Sequence, residues 1–343
     1  MAVAFRPVLV TAPNFDAAAE AFLKEHGCRA VHSELPEGKL GFDDVVQLLS
    51  GVQGWIIGPQ VDVKSDLVAA APACRAFVRR GVGYERLDVK AIAAQGRVAG
   101  IATGGNDASV GDHGVGLMLG VLRRMREQQL RMIEGDWSIL VSTDLYRKTV
   151  GIVGLGRTGR ALLQRLSGFE CKVLVSTPRH DPDLIGRYDL RYVDLQELLR
   201  ESDVVSLHLP LMPATRHLIG ATELAIMKPG SVLVNLARGG VVDDRALLAA
   251  IESGHLGGAG LDVFEAETDD DLKSVARRLA SLPNVIATPH SAASTREGLA
   301  RTNLIAARTV VAVLDGTEPP PGCIVADGRS ALGLAPSPQG GVM

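Results

Sequence analysis

The sequence predicts an α/β fold with two parallel sheets, and three observations carry that prediction. Short apolar runs rich in β-branched residues alternate with amphipathic stretches along most of the chain, which is typical of βαβ units. A glycine-rich turn directly follows one of these runs and opens a helical segment. A long helical pattern, from Val110 to about Gly135, divides the runs into two series, and each series is expected to form its own sheet.

Each predicted element follows from a local pattern. The first series contains the predicted strands 7–11, 54–58, 76–79 and 98–102. The second contains the predicted strands 149–153, 172–176, 203–208, 231–235, 258–262 and 284–288. The long helix between them follows the segment from Asn106 to Ser109, whose short polar side chains are typical of a helix N-cap.

Composition narrows the class of protein. With 343 residues and 46% hydrophobic content, the chain can build two cores, and its formal net charge of −3 does not favour binding to nucleic acid or an anionic membrane. The four cysteines are too scattered for a zinc site or a disulfide scaffold, so we expect buried thiols and no metal. There is no signal-peptide pattern and no apolar stretch of about 18 to 20 residues, which favours a cytoplasmic location.

The glycine-rich turn has the form of a dinucleotide-binding fingerprint, Gly154-x-Gly156-x-x-Gly159. One glycine permits the tight turn, one lets the backbone approach a pyrophosphate, and one allows close packing of helix on strand. The helix that follows presents N–H groups and its dipole to the phosphates. Arg157 and Thr158 lie inside this turn and are predicted to contact the cofactor.

The end of the next strand bears on the choice between the two nicotinamide cofactors. NAD-binding folds usually place an acidic residue there for the ribose 2′-hydroxyl, whereas this chain has Ser176, Thr177 and, shortly after, Arg179. Hydroxyls with a nearby guanidinium can accept a 2′-phosphate through charge-assisted hydrogen bonds. NADP(H) is therefore favoured, with NAD(H) as the alternative.

Three further motifs follow at compatible spacing. They are Asn235-Leu-Ala-Arg238-Gly-Gly-Val-Val-Asp243, Gly260-Leu-Asp262-Val-Phe-Glu265-Ala-Glu267 and Thr288-Pro-His290. Together with Ser206-Leu-His208-Leu-Pro210 and Ser109-Val-Gly-Asp112-His113, they resemble the D-2-hydroxyacid dehydrogenase family up to about residue 327.

The resemblance implies two Rossmann-like, doubly wound domains, with the cofactor domain inserted into the substrate domain. The substrate domain would comprise residues 1–103 and 291–327, and the dinucleotide-binding domain residues 104–290. Residues 328–343 are expected to form a mobile tail. The resemblance also implies a homodimer built around the helix after Asn106.

In that family, Arg238 would bind the substrate carboxylate and keto oxygen, Glu267 would orient the histidine, and His290 would carry the proton. The chemistry agrees, because hydride reduction of a ketone produces an alkoxide that must be protonated, and imidazole is matched to this near neutrality. A neighbouring carboxylate favours the imidazolium form. The guanidinium offers a rigid fork to a carboxylate.

Other contacts are implied by the same resemblance. Leu209, Pro210 and Thr215 would line the adenosine side, and Asp262 would hold the nicotinamide carboxamide. For the substrate, the assigned residues are Val82, Gly83, Asn106 and Arg238. For the cofactor, the assigned residues are Gly154, Gly156, Arg157, Thr158, Ser176, Thr177, Arg179, Leu209, Pro210, Thr215, Ala237 and Asp262.

The sequence therefore predicts an oxidoreductase that transfers a hydride between a nicotinamide cofactor and a small 2-keto acid or D-2-hydroxy acid. An NADPH-dependent glyoxylate or hydroxypyruvate reductase is the favoured form. Arg79 and Arg80 suggest an alternative, an NAD enzyme similar to phosphoglycerate dehydrogenase; they are equally consistent with solvated surface arginines. A second alternative is a non-enzymatic protein that senses a dinucleotide.

Overall fold

The computed structural model describes residues 5–33 and 42–329. This part of the chain forms two compact units. The first unit contains the described residues up to Asn106 and those from Thr295 onward, and the second unit contains Asp107–Ser294.

Thirteen strands lie in the described ranges. They are β1 (Arg6–Val10), β2 (Cys28–His32), β3 (Gly54–Ile57), β4 (Ala76–Arg79), β5 (Val98–Ile101), β6 (Thr149–Val153), β7 (Lys172–Ser176), β8 (Leu190–Tyr192), β9 (Val204–Leu207), β10 (Val232–Asn235), β11 (Gly258–Leu261), β12 (Val285–Ala287) and β13 (Ile324–Asp327).

Thirteen α-helices lie in the same ranges. They are α1 (Ala17–Glu25), α2 (Phe42–Leu48), α3 (Ser65–Ala70), α4 (Val89–Ala94), α5 (Asp107–Leu122), α6 (Met125–Ile133), α7 (Arg157–Leu166), α8 (Pro182–Ile185), α9 (Leu195–Glu201), α10 (Ala221–Ile226), α11 (Asp244–Glu252), α12 (Lys273–Ser281) and α13 (Arg296–Asp315). Short 3₁₀ turns occupy Ser167–Phe169, Glu265–Glu267 and Asp270–Leu272.

The first unit is built on a six-stranded sheet in the order β13-β5-β4-β3-β1-β2. Only β13 runs antiparallel to its neighbour. Side chains alternate between two buried faces: Val8 and Val10 pack with α13, while Leu9, Trp55 and Phe77 face the opposite core. Both faces are covered, as expected for a mainly parallel sheet.

The second unit is built on a seven-stranded, wholly parallel sheet in the order β12-β11-β10-β9-β6-β7-β8. Helices α9 to α12 cover one face through leucines such as Leu198 and Leu247. Helices α5 and α7 cover the other face through Leu117 and Leu162. The two sheets and their helices confirm the predicted two-domain α/β fold.

Glycines let α5 approach its neighbours closely. A Cβ at Gly111 would lie 2.9 Å from the Arg165 side chain of α7, and one at Gly120 would lie 2.3 Å from the Ile286 side chain.

The long predicted helix ends earlier than expected: Arg124 adopts a left-handed φ of 51°, which separates α5 from α6. The prediction of one helix from Val110 to Gly135 was therefore wrong.

Several short elements were not predicted. β2 carries charged and polar side chains, β8 has three residues, and β13 pairs antiparallel at an edge. Residues 330–343 of the predicted tail lie outside the described residues. Gly328 and Arg329 are held in place, because Gly328 N donates to Arg97 O at 2.9 Å and Arg329 donates to the Asp327 carboxylate.

The four cysteines are buried free thiols, as predicted. None of the helices in the described ranges is long and apolar enough to cross a membrane.

Candidate active site

Three charged side chains meet at one edge of the seven-stranded sheet. Arg238 follows β10, Glu267 follows β11, and His290 follows β12. These strands are sheet neighbours and parallel, so their carboxyl ends lie together. This edge is where open α/β sheets bind ligands.

His290 and Glu267 form a hydrogen-bonded pair. The Nδ1 atom of His290 lies 2.8 Å from Oε2 of Glu267, and Glu267 Oε1 accepts from Phe264 N at 3.0 Å. Both side chains keep access to solvent, with exposed fractions of 47% and 39%. The carboxylate accepts at Nδ1, so Nε2 is left to exchange a proton with a bound substrate.

The pair shifts the pKa of both partners. The hydrogen bond to Glu267 raises the pKa of His290 above its usual value, against the opposing effects of burial and the Arg238 charge. Burial acts to raise the pKa of Glu267, but hydrogen bonds from His290 and Phe264 and the nearby positive charges lower it overall. The arrangement therefore stabilises imidazolium beside carboxylate, which keeps a proton available near neutral pH.

Arg238 is oriented by the loop that carries it. Its Nη1 donates to the carbonyl of Ala237 at 2.8 Å, and the side chain of Asn235, at the end of β10, donates to Arg238 O at 3.2 Å. Asn235 Oδ1 also accepts from the N–H of Ala237 at 3.0 Å. A cation, an imidazolium and a carboxylate together can bind a small carboxylic acid and protonate an oxygen atom.

Asp262 holds the turn that bears His290. Its carboxylate is 2% exposed and accepts from Thr288 Oγ1 at 2.6 Å, Ser291 N at 2.7 Å and Ala292 N at 3.0 Å. His290 N donates to Asp262 O at 2.7 Å, and His290 adopts a left-handed φ of 54°. The predicted contact of Asp262 with a nicotinamide carboxamide stays a prediction; the structure adds a positioning role.

A buried acidic cluster, which sequence reasoning missed, lies beside these loops. The Glu265 carboxylate, 4% exposed, contacts Arg216 through one oxygen and His217 Nε2 at 2.9 Å through the other. Asp244 accepts from Glu265 N at 3.0 Å, and burial raises the pKa of Asp244 to about 6. His217 N donates to the carbonyl of Gly240 at 2.7 Å. The cluster thus joins the loop after Arg238 to the turn that carries Glu267.

The glycine turn fits a dinucleotide phosphate. Gly154 has a φ of 91°, and a Cβ at Gly159 would lie 2.3 Å from the Gly154 carbonyl oxygen, so neither position accommodates a side chain. A Cβ at Gly156 would meet nothing within 4 Å, so the backbone there is open to a ligand. The N–H groups of Arg157 and Thr158 donate to no acceptor in the described part of the chain. This is the cradle that a pyrophosphate requires.

A buried histidine supports this cradle and was not predicted. His208 lies between Ser206 Oγ, 2.9 Å from its Nε2, and Thr158 Oγ1, 3.2 Å from its Nδ1. Burial lowers the pKa of His208 to about 4, so its ring is neutral at physiological pH. The ring therefore orients the Thr158 hydroxyl without adding charge.

The segment predicted to select between NAD and NADP, residues 176–179, begins beside the glycine turn. Ser176 O accepts from Gly154 N at 2.9 Å, and Thr177 and Arg179 follow, with Arg179 exposed. The ring of His180 stacks on Tyr192 at 4.2 Å. The next acid along the chain, Asp181, is bound by Arg160 at 2.7 Å.

The remaining predicted residues lie in both units. Thr215 Oγ1 donates to Pro210 O at 2.7 Å, and Leu209 lies close to Gly154. Val82, Gly83 and Asn106 belong to the first unit. Among the described residues, no group of three or more histidine, cysteine or acidic side chains is arranged to hold a metal ion.

Comparison with known proteins gives a consistent set of similarities. The sequence profile described as "D-isomer specific 2-hydroxyacid dehydrogenase, NAD binding domain" matches residues 115–292. A hydroxypyruvate reductase of Thermotoga maritima is 34% identical over 274 residues, which cover 79% of this chain and 88% of the relative. A glyoxylate/hydroxypyruvate reductase B of Shigella boydii is 39% identical over 248 residues, which cover 71% and 75%.

A solved structure shows the same architecture. The D-lactate dehydrogenase of Aquifex aeolicus, crystallised with NAD and lactic acid, superposes with a TM-score of 0.80 at 27% identity, covering 97% of this chain and all of that chain.

We predict that replacing Glu267 with Gln lowers the pKa of His290, because the charge that stabilises the imidazolium is removed. An NMR titration of the His290 ring measures this shift. Glu20→Gln removes the carboxylate from another His–Glu pair, that with His32 at 2.6 Å, and should leave the His290 titration unchanged. An unshifted His290 pKa in Glu267→Gln would contradict the assignment.

We also predict that Glu265→Gln destabilises the protein by about 1–3 kcal/mol, because a buried charged acceptor of Arg216 and His217 is lost. Urea denaturation measures the change. Glu252→Gln is the matched control: its pair with Arg278, at 2.7 Å, is exposed, and its loss should cost no more than about 0.5 kcal/mol. Equal denaturation midpoints for the two variants would show that the buried cluster does not stabilise the fold.

Proposed function

Because this chain belongs to the D-isomer specific 2-hydroxyacid dehydrogenase family and is an NAD(P)-dependent oxidoreductase, we propose that it reduces glyoxylate and hydroxypyruvate with NADPH. The observation that carries the proposal is the His290–Glu267 pair, 2.8 Å apart, at the strand edge that also bears Arg238. The names of the relatives in Thermotoga and Shigella support the choice of substrate.

The site residues have distinct roles in the proposed reaction. When bound, the nicotinamide cofactor supplies a hydride to the keto carbon. Arg238 binds the substrate carboxylate and stabilises the negative charge that grows on the keto oxygen. His290 then donates the proton from Nε2 to that oxygen, and Glu267 stabilises the imidazolium before the transfer. In the reverse direction, His290 takes the proton from the hydroxy acid.

Support for NADPH comes from the segment after β7. Ser176 and Thr177 stand where a carboxylate would repel a 2′-phosphate, and the exposed Arg179 can bind one. Asp181, the next acid along the chain, is neutralised by Arg160. NAD remains the second candidate, because the Aquifex relative was crystallised with NAD.

We further propose that the protein is a homodimer through α6 and the segment after it. Apolar side chains are exposed along this stretch: Met125, Leu130, Met132, Ile133, Trp137, Ile139, Val141 and Tyr146. Ile139 and Val141 are 91% and 87% exposed. Exposed apolar side chains concentrated in one stretch of the chain are typical of an interaction surface. A cytoplasmic location stays a prediction.

The central test is the initial rate of reduction of glyoxylate, hydroxypyruvate and bulkier 2-keto acids, each with NADPH and NADH. NADPH should be preferred, and Arg179→Ala should lower kcat/KM for NADPH by about tenfold, with little effect on NADH, because a charge-assisted contact to the 2′-phosphate is lost.

Arg187→Ala provides the matched control, since Arg187 is an exposed arginine of the same unit that lies over the Tyr188 ring. It should leave the cofactor preference unchanged. A preference for NADH in the wild type would contradict the cofactor assignment. Full activity of His290→Ala would contradict the assignment of the proton donor.

For the dimer, we predict that sedimentation velocity finds two chains per particle, and that Ile139→Glu shifts the population toward monomer. A charge at a buried apolar interface is costly because it is desolvated without a partner. Ile185→Glu, at a 51% exposed position on α8, should leave the dimer intact. A monomeric wild type, or a dimer unaffected by Ile139→Glu, would contradict this surface.

A further inference from the structure

A histidine of α5 is hydrogen-bonded to the turn that bears His290, within the second unit. The Nε2 atom of His113 lies 3.0 Å from the hydroxyl oxygen of Thr288, which directly follows β12. That hydroxyl donates in turn to Oδ1 of Asp262 at 2.6 Å. The same Oδ1 accepts from Ser291 N at 2.7 Å, and His290 N donates to Asp262 O at 2.7 Å. A continuous chain of hydrogen bonds therefore joins α5 to His290 and the residue after it.

The direction of these hydrogen bonds determines which ring nitrogen of His113 carries a proton. A threonine hydroxyl has one proton to donate, and here that proton goes to the Asp262 carboxylate, which accepts it. The Thr288 oxygen must then accept from His113, so Nε2 is protonated. A donor to a hydroxyl polarises it and strengthens the hydrogen bond that the hydroxyl itself donates. The His113 ring thus directs the Thr288 hydroxyl toward Asp262 and strengthens that contact.

Both ends of the contact are held by packed backbone. Leu117, one helical turn after His113, is 3% exposed, and a Cβ at Gly260 of β11 would lie 2.8 Å from the Leu117 Cβ. On the other side, Thr288 N donates to Leu261 O at 2.9 Å. The His113 ring itself is 25% exposed. The hydrogen bond therefore connects a helix packed on the sheet to a strand end, which suits a group that fixes the geometry of a neighbouring site.

We propose that His113 is a positioning residue for the reaction: through Thr288 and Asp262, it holds the turn in the geometry that His290 needs for proton transfer. This inference rests on the proposed function, in which His290 is the proton donor. His113 is assigned no contact with substrate or cofactor. Because its effect is on the placement of the proton donor, its loss should lower kcat and kcat/KM together and leave KM for the keto acid nearly unchanged.

Two variants at one position separate the hydrogen bond from the bulk of the ring. In His113→Gln, the amide nitrogen can take about the place of Nε2 and still donate to Thr288. In His113→Asn, the amide nitrogen lies about where Nδ1 is and does not reach that oxygen. His113→Asn should therefore lower kcat about fivefold, as expected for the loss of one hydrogen bond, and His113→Gln should keep kcat within about twofold of the wild type.

His255→Asn is the matched control. His255 is also half-buried and lies in the same unit, and its Nε2 is also 3.0 Å from an oxygen atom, the carbonyl of Leu224. It precedes β11, at the amino edge of the sheet, whereas the candidate site lies at the carboxyl edge. This variant should leave kcat unchanged.

Amide hydrogen exchange of Ser291, followed by NMR, tests the positioning role without turnover. Its N–H donates to Asp262 Oδ1, so it should exchange about fivefold faster in His113→Asn than in the wild type, and at the wild-type rate in His113→Gln. The N–H of Asp203 is the internal reference, because it donates to Thr149 O at 2.8 Å at the amino edge of the sheet. Its exchange rate should not change.

Thr288→Val shows whether His113 acts through the hydroxyl. This variant removes the acceptor of His113 and the donor to Asp262. In the Thr288→Val background, His113→Asn should cause no further acceleration of Ser291 exchange, because the pair then has no interaction left to lose. Additive effects of the two substitutions would overturn the proposed route.

The exchange measurement separates this proposal from the proposed function. If no 2-keto acid is reduced, the proposed function fails, and Ser291 exchange decides the positioning role alone. Wild-type exchange of Ser291 in His113→Asn overturns the role, and so does a His113→Gln variant that exchanges as fast as His113→Asn. Where turnover is found, an unchanged kcat in His113→Asn also overturns it.

Discussion

The buried negative charge of Asp262 is the constraint on which the catalytic edge depends. A carboxylate that is 2% exposed must be satisfied by hydrogen bonds, and among the described residues its three hydrogen-bond donors come from residues 288–292. The Nε2 atom of His113 lies 3.6 Å from the same carboxylate. The turn therefore wraps around the carboxylate, and His290 is held with a left-handed backbone. This strain persists only because the surrounding hydrogen bonds determine the turn. The proton transfer proposed for His290 would thus depend on a residue that is almost inaccessible to solvent.

Glu265, a second buried acid, links the neighbouring loops through its hydrogen bonds. Glu265 is tied through Arg216 and His217 to the segment that precedes α10, while Gly240 O accepts from His217 N. Close backbone contact adds to this, since a Cβ at Gly239 would lie 2.1 Å from the Phe264 carbonyl oxygen. The loops that carry Arg238 and Glu267 are therefore joined by direct contacts.

The sequence predicted the fold class and identified the residues of the candidate site because both depend on local patterns. Alternating apolar runs indicated the strands, and Arg238, Glu267 and His290 each follow a strand whose end is recognisable. The roles of Asp262 and Glu265 depend on which loops the fold places together, and periodicity carries no such information. The break at Arg124 was missed for the same kind of reason, since a left-handed arginine has no local signature.

The neutral ring of His208 means that the support of the glycine turn and the ring of His290 do not change charge over the same pH range. Its pKa of about 4 keeps the support beneath the glycine turn uncharged across the range in which His290 titrates. Acidification from about pH 6.5 towards 4 instead favours the unfolded chain, where this imidazole can take up a proton. The charge beside the glycine turn is therefore constant while His290 titrates, and protonation of His208 is coupled to unfolding.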